Sequence, residues 1–106
     1  MKYVEIEFDE FDWDDGNILK IQKRVQIEEV EIFFKQRLLI MEDERHSSFE
    51  DRFIAMGPSK DKRVLFVAYT IRKKEKGNLI RVISARYTHK KEKEAYEKIK
   101  KIFIQE

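Results

Sequence analysis

Positions 44–52 of this chain read Glu44-Arg45-His46-Ser47-Ser48-Phe49-Glu50-Asp51-Arg52, and nowhere else do a histidine, a carboxylate and two arginines fall so close together. Those residue types suit cleavage of a phosphodiester through its own ribose 2′-OH. That reaction needs a base working near neutrality, cations on the non-bridging oxygens and an acid for the departing oxygen. His46 or Glu50 has the chemistry of the base, and Arg45 or Arg52 that of a phosphate clamp. The bland reading is an exposed polar loop with a surface ion pair, which contributes little. A second group follows at Arg86-Tyr87-Thr88-His89-Lys90, where a predicted strand runs into a basic helix. Arg86 at a strand end can make bidentate contacts to phosphate that lysine cannot reproduce. His89 falls in the first turn of the predicted helix, a position that suits a base more than an acid. The bland reading there is a solvated helix face, with Lys90, Lys91 and Lys93 offset by Glu92 and Glu94.

Other chemistries find no support. The two histidines are far apart and there is no cysteine, so no metal-ligand pattern, disulfide or thiolate site is available. Neither a phosphate-loop glycine pattern nor Gly-x-Ser-x-Gly is present. No cofactor and no metal are therefore expected. The start Met-Lys-Tyr-Val-Glu has no apolar signal region, and the longest apolar run, 64–69, is too short to span a bilayer. A soluble cytoplasmic protein without membrane contact is expected.

The elements that must position these residues follow from periodicity. The 106 residues suit one domain, and a 42% charged fraction is matched by 42% hydrophobic residues, enough for a core. Val4, Ile6 and Phe8 alternate with glutamates as a half-wet strand does. Asp14 or Asp15 can cap a helix carrying Ile18, Ile21 and Val25, and a second helix from Ile27 carries Val30, Phe33 and Phe34. Strands are predicted over 38–41, 52–56, 64–71 and 79–86, with a charged hairpin turn over 73–78. Thr88 can cap a final helix whose Ala95, Tyr96, Ile99, Ile102 and Phe103 point inward. Trp13 reads as a core anchor. Short connections make the strands antiparallel, and the helices are expected to cover one face of the sheet, an α+β arrangement. Charge divides unevenly: residues 1–53 hold 8 Lys+Arg against 15 Asp+Glu, and residues 54–106 hold 15 against 6. That asymmetry offers a cationic face to a polyanion, unless the fold interleaves the halves and neutralises them.

With these residues laid out, the chain resembles the BrnT family of type II toxins. The matching features are Phe11-Asp12-Trp13-Asp14, Asn17-x-x-Lys20-Ile21 and Glu28-Glu29-Val30-Glu31. They continue with Asp43-x-x-His46-x-x-x-Glu50-x-Arg52-Phe53, Ala55-Met56-Gly57, the run 63–70, and Ile80-Arg81-Val82-Ile83-Ser84-Ala85-Arg86. Glu92 or Lys93 with Tyr96 ends the match. The resemblance implies a RelE-like α+β fold, with an antiparallel sheet of four to five strands, two N-terminal helices and one C-terminal helix in a single domain over 1–106. Residues 1–10 extend beyond the usual start and are expected to add an edge strand. It implies a metal-independent endoribonuclease that arrests growth, with His46, Glu50, Arg52, Arg81 and Arg86 facing RNA and Arg72 a weaker member. Partners implied are RNA, free or on the ribosome, and a BrnA-like antitoxin with a ribbon-helix-helix module, through which alone the complex meets DNA. Family members often carry a histidine after the first helix; here Arg24-Val25 takes its place, and arginine stays charged. That departure keeps a second reading open, a catalytically weak module that only holds an antitoxin or RNA.

Overall fold

The structure, a computed structural model, describes residues 1–46 and 50–105, with the side chain of His46 excluded. Six strands form one sheet: β1 (Lys2–Glu5), β2 (Glu10–Phe11), β3 (Arg37–Glu42), β4 (Arg52–Pro58), β5 (Val64–Lys74) and β6 (Gly77–Tyr87). The helices are α1 (Asp15–Ile21), α2 (Ile27–Phe33) and α3 (Lys90–Ile104), with short 3-10 turns at Glu44–His46 and Lys60–Lys62. Spatial order is β1-β3-β4-β5-β6-β2. All pairs are antiparallel except β2 with β6, which is parallel. Among the described residues, no helix is long and apolar enough to cross a membrane.

The α+β expectation holds, with two corrections to the sheet. The segment 1–10 supplies two strand starts instead of one, at opposite edges, giving six strands where four to five were expected. The predicted alternation Val4-Ile6-Phe8 breaks because the chain leaves the sheet after Glu5; Val4 is 41% exposed, while Ile6 and Phe8 pack against the core beyond the strand. Only residues 6–9 separate β1 from β2. Extended, they span at most about 18 Å, whereas five strand spacings in a flat sheet cover about 24 Å. The sheet must therefore curl until its edges approach. Arg37 on β3 ties down the edge strand β1: its Nε donates to the Tyr3 carbonyl at 3.0 Å and its guanidinium lies over the Tyr3 ring.

Strand alternation sorts side chains onto two faces. One face carries the main core, where Ile21, Val25, Val30, Phe33 and Phe34 from the helical segment meet Leu38, Ala55, Leu65, Val67, Tyr69, Ile80 and Val82. Trp13 joins it, stacked on Phe11 and donating from Nε1 to Glu31 at 3.1 Å, an anchor as expected. The other face carries a smaller core of Leu39, Met56, Val64 and Tyr96, flanked by Phe66, Ile99 and Phe103. So α3 lies on the opposite face from α1 and α2, and the expectation of helices on one face is corrected. Periodicity identifies a buried stripe but not the side of the sheet it meets. On α3 that stripe is Tyr96, Ile99 and Phe103, whereas Ala95 is exposed and Ile102 is 72% exposed.

Local choices fit these placements. Asp14 caps α1, its Oδ1 accepting from the Asn17 N–H at 2.8 Å. The hairpin turn is tighter than predicted, since Lys74 already pairs with Gly77, which holds φ at +103°. Gly57 on β4 is needed for close packing: a Cβ there would overlap the Leu38 side chain and reach 3.4 Å from the Phe33 ring. Gly57→Ala is expected to destabilise the fold by about 1–3 kcal/mol, read as a lowered urea midpoint.

Candidate nucleic-acid interface

The face shared with α3 also carries the arginines. Arg52 on β4 and Arg81 on β6 both pair with Thr70 on β5, so the three form one cross-strand row. Arg72 stands two residues farther along β5 on the same face. At the other end of β5, Arg86 pairs with Phe66. Positions 81 and 86 differ by an odd number and would face opposite ways on a regular strand. A bulge resolves this: Ala68 pairs with Ser84 but Tyr69 with Val82, leaving Ile83 as the extra residue. Arg81 and Arg86 thereby share a face, separated by four residues of β5, about 13 Å.

At the Arg81 end, cations meet carboxylates from the acidic half of the chain. Arg72 lies 3.2 Å from Asp12 and 3.3 Å from Glu50, and Lys74 lies 3.6 Å from Asp12. Arg81 lies 2.8 Å from Asp14 and donates to the Asp12 carbonyl at 3.0 Å. The Asn17 backbone N–H, and after it Arg81, hold the Asp14 carboxyl below its usual range. Charge asymmetry between the halves is thus partly spent inside the molecule.

At the other end, Arg86 faces Glu92 in a fork-to-fork pair, both N···O distances 2.8 Å, while its guanidinium covers the Phe66 ring at 4.4 Å. The Arg86 hydrogen bonds pull Glu92 down to about 2 against the effect of burial, with the His89 backbone adding to the pull. His89, not Thr88, is the N-cap of α3, because Thr88 Oγ1 donates instead to the Val64 carbonyl at 3.0 Å. His89 therefore lies just before the first turn, its side chain 71% exposed and Nε2 3.2 Å from Glu92. Glu92 is ionised more readily folded than unfolded, so its contribution is complete above about pH 4.5 and fades as pH falls towards 2. Glu92→Gln is expected to cost about 1–2 kcal/mol at pH 7, discounted for the half-exposed arginine. Urea unfolding of both proteins between pH 7 and 2 should show the gap closing.

A cavity of about 350 Å³ opens where α1 meets β6, lined by Lys20, Lys23, Arg24, Ser84 and Arg86. Asn17 pins the helix there, donating from Nδ2 to the Val82 carbonyl at 2.7 Å. A different polar cluster lies under α2. Glu29, 8% exposed, accepts from the Ser59 hydroxyl and from Tyr87 Oη at 2.5 Å, with Lys60 Nζ at 3.6 Å. Burial pushes the Glu29 carboxyl up, but these hydrogen bonds and Lys60 together bring it below its usual range. Burial and the Glu29 contact raise Tyr87 to about 12. This cluster ties α2 to the β4–β5 connection and the end of β6.

The predicted site residues fall into two groups on one face. Glu50, Arg52, Arg72 and Arg81 stand at one end; Arg86, His89 and the exposed Lys90 at the other. Arg45 is exposed in the 3-10 turn that His46 ends. The His46 side chain and residues 47–49 lie outside the described structure. Sequence reasoning missed Lys20, Lys23 and Ser84 as lining residues, and Glu92 as the partner of Arg86. The signal for the first two was present, since positions 20, 23 and 24 follow helical spacing.

A family model described as "Ribonuclease toxin, BrnT, of type II toxin-antitoxin system" matches residues 13–92. That span runs from α1 through β6 into the first turn of α3, and so includes every predicted site residue. No curated protein matches the chain.

Proposed function

The chain belongs to the BrnT family of ribonuclease toxins of type II toxin–antitoxin systems, and we propose that it cleaves RNA through the ribose 2′-OH without a metal ion, arresting growth. Glu50, steadied by Arg72, or His46 takes the 2′-OH proton. The 2′-oxygen then bonds to phosphorus as the bond to the 5′-oxygen breaks, and the departing 5′-oxygen takes up a proton, directly or through water. Arg52 and Arg86 stabilise the charge that builds on the phosphate, and Arg81 with the exposed Arg45, His89 and Lys90 receives the flanking strand. The observation that carries this reading is the bulge at Ile83, which sets Arg81 and Arg86 on the face that also holds Arg52. Family membership brings an antitoxin partner. We take it to be a BrnA-like ribbon-helix-helix protein, with DNA bound only through the complex and RNA met in the cytoplasm, free or on the ribosome.

Induced expression in growing cells beside Arg86→Ala and His46→Ala tests the proposal. Growth arrest and RNA decay with the native chain, lost in the variants, is the expected result; unaltered growth and RNA with all three would refute it. One observation favours a binding module instead: Arg72, Arg81 and Arg86 are already paired with carboxylates. Tight, steeply salt-dependent RNA retention with no products would favour that reading.

A further inference from the structure

The cations on and beside this face differ in one respect. Arg72, Arg81 and Arg86 each have a carboxylate within ion-pair distance, whereas Lys20, Lys23 and Arg24 have none among the described residues. These three line the same 350 Å³ cavity, joined by the Ser84 hydroxyl and the edge of Arg86. Lys20 also lines a neighbouring depression of about 390 Å³ that reaches Asn17, Arg81 and Ile83, with Asp14, already paired to Arg81, at its border. The two form one seam along β6, from Arg81 to Arg86.

The topology of the sheet leaves this seam open. β2 pairs only with Leu79 and Ile80, so among the described residues the outer edge of β6 has no strand partner beyond them. α1 covers that edge at Val82, through Asn17, and then ends at Ile21. The three cations occupy the last turn of α1 and the residues just after it, above a strand edge that has lost its cover. Positive charge with no internal partner, gathered around a cavity, is an anion site by electrostatics.

We infer that this seam is a phosphate subsite for single-stranded RNA, holding a phosphate next to the one that is cleaved. Arg86 joins the seam to the arginine face, so a strand crossing that face passes Arg86 and enters the cavity over Ser84. The inference deepens the nuclease reading and rests on it for the identity of the polymer.

The test uses a single-stranded DNA oligonucleotide, which lacks the 2′-OH and so reports binding without cleavage. Fluorescence anisotropy across a salt series compares the native chain with Lys20→Ala/Lys23→Ala/Arg24→Ala. A control, Lys73→Ala/Lys76→Ala/Lys98→Ala, removes the same charge from exposed lysines elsewhere. Each phosphate that the protein no longer neutralises lowers the slope of log K against log salt by about 0.7. The seam variant is expected to neutralise about one to two fewer phosphates and to bind about tenfold more weakly at about 0.1 M salt; the control should keep the native slope. Equal slopes for all three proteins, or equal reductions in both variants, would overturn the subsite. An RNA cleavage assay run in parallel separates the two claims. Cleavage with an unaltered seam slope sinks only the subsite, and seam-dependent binding without cleavage sinks only the nuclease.

Discussion

Arg86→Ala is expected to slow RNA cleavage about 10²–10³-fold, equivalent to about 3–4 kcal/mol of transition-state stabilisation. The geometry around the guanidinium is the reason. Arg86 is held by its two hydrogen bonds to Glu92 and by the Phe66 ring, so it needs little reorganisation when charge builds on a phosphate. Two N–H groups face Glu92 and a third makes a longer contact of 3.4 Å to the Tyr87 carbonyl, which leaves the rest of the guanidinium for substrate. Arg86→Lys keeps the charge but loses the fork, and should recover only a small part of the rate. Because the alanine variant also breaks the Glu92 pair, its urea midpoint must be read beside its rate. A lowered midpoint with unchanged single-turnover cleavage would make Arg86 purely structural.

Phe34→Ala should cost about 3–5 kcal/mol, a large share of the stability of a domain this small. Phe34 is 1% exposed and meets three other rings, with centroids 5.8 Å from Phe11, 5.1 Å from Phe33 and 5.2 Å from Tyr69. It lies at the end of α2, where the helix, the β2 edge and the central strand converge. Removing its ring leaves a cavity that close-packed neighbours cannot fill. Thermal and urea unfolding should show a protein near or below its folding threshold at physiological temperature. A loss below about 1 kcal/mol would mean that the main core is not centred here.

Much of the fold was legible because its strands alternate and its helices carry clear stripes. Leu38 and Leu39 turn to opposite faces, as adjacent strand residues must, and Val30, Phe33 and Phe34 are buried as their spacing predicts. What stayed hidden has physical causes. β2 is two residues long, too short for any period, and its parallel pairing with β6 depends on how the whole sheet curls. The side on which α3 packs is a tertiary choice that its own stripe does not encode.

The site was harder to read for related reasons. Its arginines were visible as residue types, but the odd interval from Arg81 to Arg86 predicts opposite faces, and only the bulge at Ile83 reverses that. Glu92 looked like an ordinary helix charge because its partner lies across the strand–helix junction. Glu29 was visible only as part of an acidic run, while its burial arises from Ser59 and Tyr87, 30 and 58 positions away. Lys20, Lys23 and Arg24 keep helical spacing, but their helix ends at Ile21, and three positions were too few to stand out as a stripe.

The central claim is that this chain cuts RNA by using the 2′-OH as nucleophile. It is tested most directly by incubating the purified protein with a defined RNA in excess chelator and identifying the new ends. The expected result is chelator-resistant cleavage that leaves 2′,3′-cyclic phosphate and 5′-hydroxyl termini, and its near loss in Arg86→Ala. Intact RNA, or products ending in a 3′-hydroxyl, would contradict it.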